Sequence, residues 1–223
     1  SKRILFLSRP ERIGTAPMRP ARAALVWAAL AAAIAVPIAL AGTSELLAYR
    51  GAIYNLASFA GIAALALVFL QPLLIGGYLP GLSGPRRRHA HAWTGGALAA
   101  AVAAHVAGLW FSSPPDMIDA LTFMSPTPFS PFGVIAMWAI VAVASLAALR
   151  RRLRLSPRAW RIAHMALAVI IVSGSVIHGL LIEGTMETMS KVVLCVMVVA
   201  AAAKVIGDRV CRKRALPRGE SAA

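Results

Sequence analysis

The sequence predicts an all-α integral membrane protein, a bundle of six transmembrane helices with both termini in the cytoplasm. Composition is the first observation behind this prediction. Hydrophobic residues make up 59% of the 223 residues and charged residues only 14%, a balance that does not suit a water-soluble domain. The second observation is that the apolar residues form six separate runs. Each run is close to the length of about 20 residues that a hydrocarbon core about 30 Å thick requires.

The six apolar runs are bounded by proline, glycine or charged residues. They cover residues 22–42, 52–76, 88–111, 131–149, 158–182 and 189–207. The first run follows an arginine-rich stretch and has no convincing cleavage site, so we expect it to remain as a helix. The third and fifth helices can begin at Pro85 and Pro157, because proline is tolerated in the first turn, and Ser156 is a suitable N-cap.

The basic residues predict the orientation, and this is the third observation. Of the 23 Lys and Arg residues, all but Arg50 and Lys191 fall on the side of the bundle that carries both termini. Lys and Arg near the ends of spans stay in the cytoplasm. We therefore expect a bacterial inner-membrane protein with a basic cytoplasmic arm over 1–21, a six-helix transmembrane domain over 22–207 and a basic cytoplasmic tail over 208–223.

The net charge of +15 comes from residues that cluster at the predicted membrane boundaries. This distribution favours attraction to anionic lipid headgroups, or docking of an acidic soluble partner, over nucleic-acid binding. Membrane lipid is thus an expected partner, and nucleic acid is not.

Four of the five histidines lie inside apolar runs, where ionisable side chains are costly and usually functional. His91 and His105 are 14 residues apart in the third helix, and His164 and His178 are 14 residues apart in the fifth. Fourteen residues make about four helical turns, so each pair projects from one face of its helix with about 21 Å between its members. Since both helices run outward, we expect His91 to face His164 near the cytoplasm and His105 to face His178 near the outside.

Two opposed imidazoles at each of two levels are typical of haem iron with two axial histidines, so two haem b groups are the predicted cofactors. A zinc site needs three or four protein ligands, and no Cys, Asp or Glu lies at a matching depth. Ordinary hydrogen-bonded core histidines are the remaining alternative. His89 is excluded as a ligand because its 16-residue distance from His105 places it on the opposite face of the helix.

Other residues near the histidines have two interpretations each. Arg88 and Arg161 each lie three residues before an inner histidine. They either reach the propionates of an inner haem or only follow the positive-inside rule. Small residues on the histidine-bearing faces either leave room for a porphyrin or allow close helix packing. These are Gly95, Gly108 and Gly174.

With six spans and an H-x13-H pattern in both the third and the fifth, the sequence resembles the ferric-reductase-like transmembrane haem b family over roughly residues 50–205. That family includes the haem domains of ferric reductases and NADPH oxidases and the haem subunit of a periplasmic methionine-sulfoxide reductase. The resemblance implies electron transfer from a cytoplasmic flavin, FMN or FAD, through an inner and an outer haem to an acceptor outside.

The donor and the acceptor stay open. The sequence ends shortly after the sixth run without a G-x-G-x-x-G stretch, so we expect the donor to be a separate cytoplasmic flavoreductase or quinol. A periplasmic redox protein, oxygen or a ferric chelate is the expected acceptor. The proline-rich connection over 112–130 is either a docking or gating loop or a rigid connector.

These features together predict a membrane electron-transfer subunit of an oxidoreductase. The alternative is a non-redox membrane transporter or assembly scaffold with structural core histidines.

Overall fold

The computed structural model describes residues 20–215, with side chains described as far as Cys211. The described part of the chain is all-helical: α1 (Pro20–Gly42), α2 (Ala52–Gly76), α3 (Gly84–Ser112), α4 (Pro114–Leu121), α5 (Ser130–Leu149), α6 (Pro157–Leu181) and α7 (Thr188–Ala215), with a 3-10 turn at Glu45–Leu47. Six of these helices, all but α4, are long and apolar enough to cross a membrane. The predicted six-span bundle is confirmed. Residues 1–19 of the predicted arm and 216–223 of the predicted tail lie outside the described residues.

The helix starts follow the signals in the sequence. Ser156 caps α6, where its Oγ accepts a hydrogen bond from the backbone N–H of Ala159 at 3.1 Å. Pro157 is the first residue of that helix, and Pro85 lies in the first turn of α3. Both prolines therefore occupy positions where no intrahelical donor is lost.

The last helix continues past the predicted end of its apolar run at residue 207. Lys204 and Asp208 form an ion pair one turn apart, with Nζ and Oδ2 at 3.3 Å. The hydroxyl of Tyr78, just beyond the end of α2, donates to the same carboxylate at 2.5 Å. These contacts hold the end of α7 against the end of α2, and the predicted tail is helical as far as Ala215.

Two antiparallel hairpins form most of the bundle, since α2 packs along α3 and α5 packs along α6. The first hairpin turns at Gly77, which ends α2 with a φ of +78° that favours glycine. Helix α7 packs on both α2 and α6, and the shared core includes Leu65, Val68, Leu194 and Val198. By contrast, α3 and α6 make at most marginal direct contact, which leaves a seam between the hairpins.

The two ends of the bundle differ in charge. We call the end where α1, α3 and α6 begin and where α2, α5 and α7 end the basic end. The other end carries the short helix α4, where the side chain of Ser113 donates a hydrogen bond to the Asp116 carboxylate at 2.6 Å. Hydroxyl bonds among Ser125, Thr127 and Ser130 order the chain that follows. The 112–130 connection thus consists of a short helix and an ordered turn.

Candidate functional site

His91 of α3 and His164 of α6 face each other across the seam near the basic end. Their ring centroids are 5.9 Å apart, and the ring planes are inclined by 69°. A metal–imidazole bond is about 2 Å long, so two rings that bind one ion from opposite sides have centroids about 6 Å apart. The structure therefore brings together the two residues that the 14-residue spacing pairs, at a separation that suits a shared metal.

Both of these inner rings have an unsatisfied nitrogen. The Nδ1 atoms of His91 and His164 are buried and have no hydrogen-bond partner among the described residues. The backbone carbonyl of Gln71 lies near the His91 ring but does not meet the distance and angle of a hydrogen bond. Buried polar atoms normally find a partner, and an exception needs an explanation. A component that is not protein is one such explanation.

An aromatic ring lies beside His164. Trp160, one turn earlier on α6, has its ring centroid 5.1 Å from that of His164, with the planes inclined by 35°. The guanidinium of Arg150 in turn lies 5.9 Å from the Trp160 centroid. This contact could have been found from the sequence, because residues four apart on a helix, such as Trp160 and His164, lie next to each other.

The outer pair is held differently. His105 Nδ1 is 2.7 Å from the carbonyl oxygen of Ala57 in α2, and His178 Nδ1 is 3.0 Å from that of Phe129 at the start of α5. A ring nitrogen next to a carbonyl must carry the proton and donate it, which leaves Nε2 as the free ligand atom. His105 and His178 are also close enough to interact electrostatically.

Each of these carbonyls is followed, four residues later, by a glycine that the ring covers. A Cβ added to Gly61 would lie 2.9 Å from His105 Nδ1, and one added to Gly133 would lie 2.6 Å from His178 Nδ1. Any other residue would push the imidazole off its carbonyl. Sequence reasoning missed both glycines, because nothing in the sequence shows which face of α2 or α5 meets the histidine.

The glycines that the sequence did single out serve helix packing. A Cβ on Gly108 would lie 2.7 Å from Ala57 Cβ of α2, and one on Gly174 would lie 2.9 Å from the Phe132 carbonyl oxygen of α5. Gly95 also faces α2, in ordinary contact. Of the two interpretations of these residues, close packing within the hairpins is the one that the contacts favour.

The remaining predicted residues lie at the basic end. His89 accepts a hydrogen bond from Trp93 Nε1 at 2.8 Å and is exposed, as expected of a residue at headgroup level. Arg88 and Arg161 are also exposed. Between residues 20 and 211, neither arginine forms an ion pair. Their pairing with haem propionates therefore stays a prediction.

The donor set suits a cofactor with two axial ligands better than a bare metal ion. Among the described residues, no group of three or more His, Cys, Asp or Glu side chains could hold a metal. What the seam offers is one imidazole from each side at two levels, between helices that scarcely touch. These residues fit haem.

Comparison with known proteins gives one match. Residues 57–175, more than half of the chain, match the model of a family described as ferric reductase like transmembrane component. The matched range contains His91, His105 and His164 and ends before His178. No significant match was found among curated proteins or among solved structures.

Proposed function

The chain belongs to the ferric reductase like transmembrane component family, whose role is membrane electron transfer, and on this premise we propose that it is a b-type cytochrome with two bis-histidine haems. The observation that carries the proposal is the facing pair of His91 and His164, with centroids 5.9 Å apart. A purely structural role for these histidines, as in a transporter or scaffold, is disfavoured because both keep a buried nitrogen that no described residue satisfies.

In this proposal His91 and His164 hold an inner haem, and His105 and His178 hold an outer one. Bound haem supplies a one-electron iron couple. The chain supplies the ligands, the spacing of about 21 Å between levels, and an apolar surround. The carbonyl bonds of His105 and His178 fix the orientation of both outer rings and present Nε2 to the seam.

We place the basic end in the cytoplasm of a bacterium, by the positive-inside rule. Arg151, Arg152 and Arg158 are exposed there and form a surface that would attract an acidic partner. The donor is then a cytoplasmic flavoreductase carrying FMN or FAD, with quinol as the alternative. The acceptor is a periplasmic redox protein, oxygen or a ferric chelate at the other end.

An optical spectrum of the purified full chain tests the haem assignment. We expect reduced b-type bands and about two haems per chain. His164→Ala and His178→Ala should each remove about half of the haem, since each leaves one complete pair. His89→Ala is the matched control and should keep both haems. A folded but colourless protein would overturn the proposal.

The donor can be tested in membrane vesicles that contain the protein. If a flavoreductase is the donor, NAD(P)H with the soluble flavoreductase fraction should reduce the haems rapidly, and a quinol should not. Reduction of the haems by quinol alone would instead identify the membrane quinol pool as the electron donor.

A further inference from the structure

Helix α7 carries no histidine, yet its basic end reaches the inner pair. Arg209 Nη1 donates to the sulfur of Met165, the residue after His164, at 3.0 Å. Arg209 is also close enough to both His91 and His164 to act on them electrostatically. Neither Arg88 nor Arg161 acts on those two rings in this way. The arginine that contacts the neighbour of an inner ligand is therefore one that sequence reasoning did not single out.

The other end of α7 carries a buried cation. Lys191 is only 8% exposed, and its Nζ donates to the carbonyl oxygen of Ile182 at 2.8 Å. Ile182 caps the end of α6, where its N–H donates to the carbonyl of His178. The ammonium thus lies about one helical turn beyond the outer ligand. One carbonyl satisfies only one of its three N–H donors.

The two cations lie on the same side of α7. Lys191 and Arg209 are 18 residues apart. That interval makes about five full turns and a separation of about 27 Å. The buried residues of α7 between them, including Leu194, Val198 and Val205, follow the same face. This face packs on α2 and α6, so both cations are directed toward the helices that enclose the two sites.

Acidic side chains adjoin both cations, but each is engaged elsewhere. Glu187, one turn before Lys191, accepts hydrogen bonds from the backbone N–H groups of Met189 and Ser190, which lower the pKa of its carboxyl. Asp208 pairs with Lys204 and accepts from the Tyr78 hydroxyl.

As a result, within the part of the chain whose side chains are described, neither Lys191 nor Arg209 forms an ion pair. Lys191 is buried, and a buried charge without a counter-charge is costly. Arg209 is exposed but lies against the residue that follows His164, and a carboxylate is the partner that both groups bind well.

We propose that α7 supplies one cation to each haem site, Arg209 to the inner haem and Lys191 to the outer haem, where each pairs with propionate carboxylates. This inference rests on the proposed function. It assigns to α7 a positioning role that the sequence assigned, at the inner haem, to Arg88 and Arg161. Because a nearby positive charge disfavours the more positive ferric state, each cation also raises the reduction potential of its own haem.

A redox titration of the full chain, followed optically, tests the role of Arg209 at the inner haem. Arg209→Gln should lower the midpoint potential of one haem and leave the other unchanged. The same shift should appear in a His178→Ala background, which keeps the inner pair. Arg209→Lys should restore most of the potential. Arg86→Gln removes an exposed arginine at the same end and should have no effect. An unchanged potential in Arg209→Gln, or an equal shift in Arg86→Gln, overturns the assignment.

The role of Lys191 at the outer haem is tested with variants that keep the volume of its buried side chain. Lys191→Arg retains the charge and should keep the outer potential, whereas Lys191→Met retains the volume without charge and should lower it. Equal potentials in these two variants would overturn the role of Lys191. A shift with Arg50→Gln in place of Lys191→Met would move the role to that residue.

The outcomes also separate this inference from the proposed function. A wild-type chain without haem would overturn the proposed function. Two haems whose potentials do not respond to either α7 cation would overturn only the inference about α7.

Discussion

The two outer histidines are each oriented by a helix backbone. His105 and His178 donate to carbonyls of Ala57 and Phe129, residues on two different helices. Each helix carbonyl can accept a second hydrogen bond because it has two lone pairs. The imidazole must come very close to the helix to reach it, and only a glycine one turn later permits that approach. The same arrangement thus occurs once in each hairpin.

We predict that Gly61→Ala and Gly133→Ala weaken the outer haem. The added methyl group would lie 2.9 Å or 2.6 Å from the ring nitrogen and would displace the ring from its carbonyl. Loss of such an outer-shell bond typically costs about 10- to 100-fold in affinity. Haem content per chain after dialysis against apomyoglobin measures the effect.

Gly96→Ala is the control for this pair, since a Cβ there meets no atom within 4 Å. If all three variants retain the same haem, the glycines do not position the ligands.

For single residues, the sequence predicts which histidines share a helix face, but it does not predict the neighbouring residues that position them. The pairs His91–His105 and His164–His178 follow from helical periodicity, which depends on the sequence alone. The roles of Gly61, Gly133 and Arg209 depend on which faces of α2, α5 and α7 turn inward. That choice is made by packing among six helices that are apolar on every side, so no amphipathic pattern reveals it.

The hairpins themselves depend on close approach between helix backbones. Gly108 lets α3 approach Ala57, and Gly174 lets α6 approach the Phe132 carbonyl oxygen and Ala136. Lipid offers no hydrophobic driving force between helices, so this contact supplies much of the association energy.

We predict that Gly108→Val and Gly174→Val destabilise their hairpins by about 1–3 kcal/mol, the usual range for overpacking. The added atoms meet a Cβ at 2.7 Å in the first case and a backbone oxygen at 2.9 Å in the second. Thermal unfolding in detergent should show a lower midpoint for both variants. Gly96→Val, which has open space, should unfold like the wild type, and an equal loss there would argue against the packing explanation.

Element boundaries were predicted closely, with two exceptions. The predicted runs end within a few residues of the observed helices because hydropathy and proline positions set both. Helix α4 (Pro114–Leu121) was not predicted, since eight residues between prolines are too short for a clear period. The extension of α7 to Ala215 is accompanied by the contact of Asp208 with Tyr78, 130 residues away in sequence, which no local pattern reveals.

The orientation of the whole bundle can be read from its two cysteines. Cys211 is exposed at the basic end, and Cys195 is buried. We predict that a membrane-impermeant maleimide labels the protein in inverted vesicles but not in intact spheroplasts. Cys211→Ser should abolish the labelling.

An introduced cysteine at the other end of the bundle provides the positive control for labelling in intact spheroplasts. Asp119 is exposed in α4 at the other end, so Asp119→Cys in the Cys211→Ser background should be labelled in spheroplasts. The reverse pattern would invert the topology and place the donor and acceptor on opposite sides from those proposed.

The marginal contact between α3 and α6 has a consequence for biogenesis. Within each hairpin the two helices pack along each other, and the ribosome delivers α2 and α3 well before α5 and α6. The membrane therefore receives half of each proposed ligand set first, before the helix that carries the opposing histidines. We expect the proposed haems to bind late, while the second hairpin docks on the first, so that haem supply would limit how many molecules assemble completely but not how fast the helices insert into the membrane.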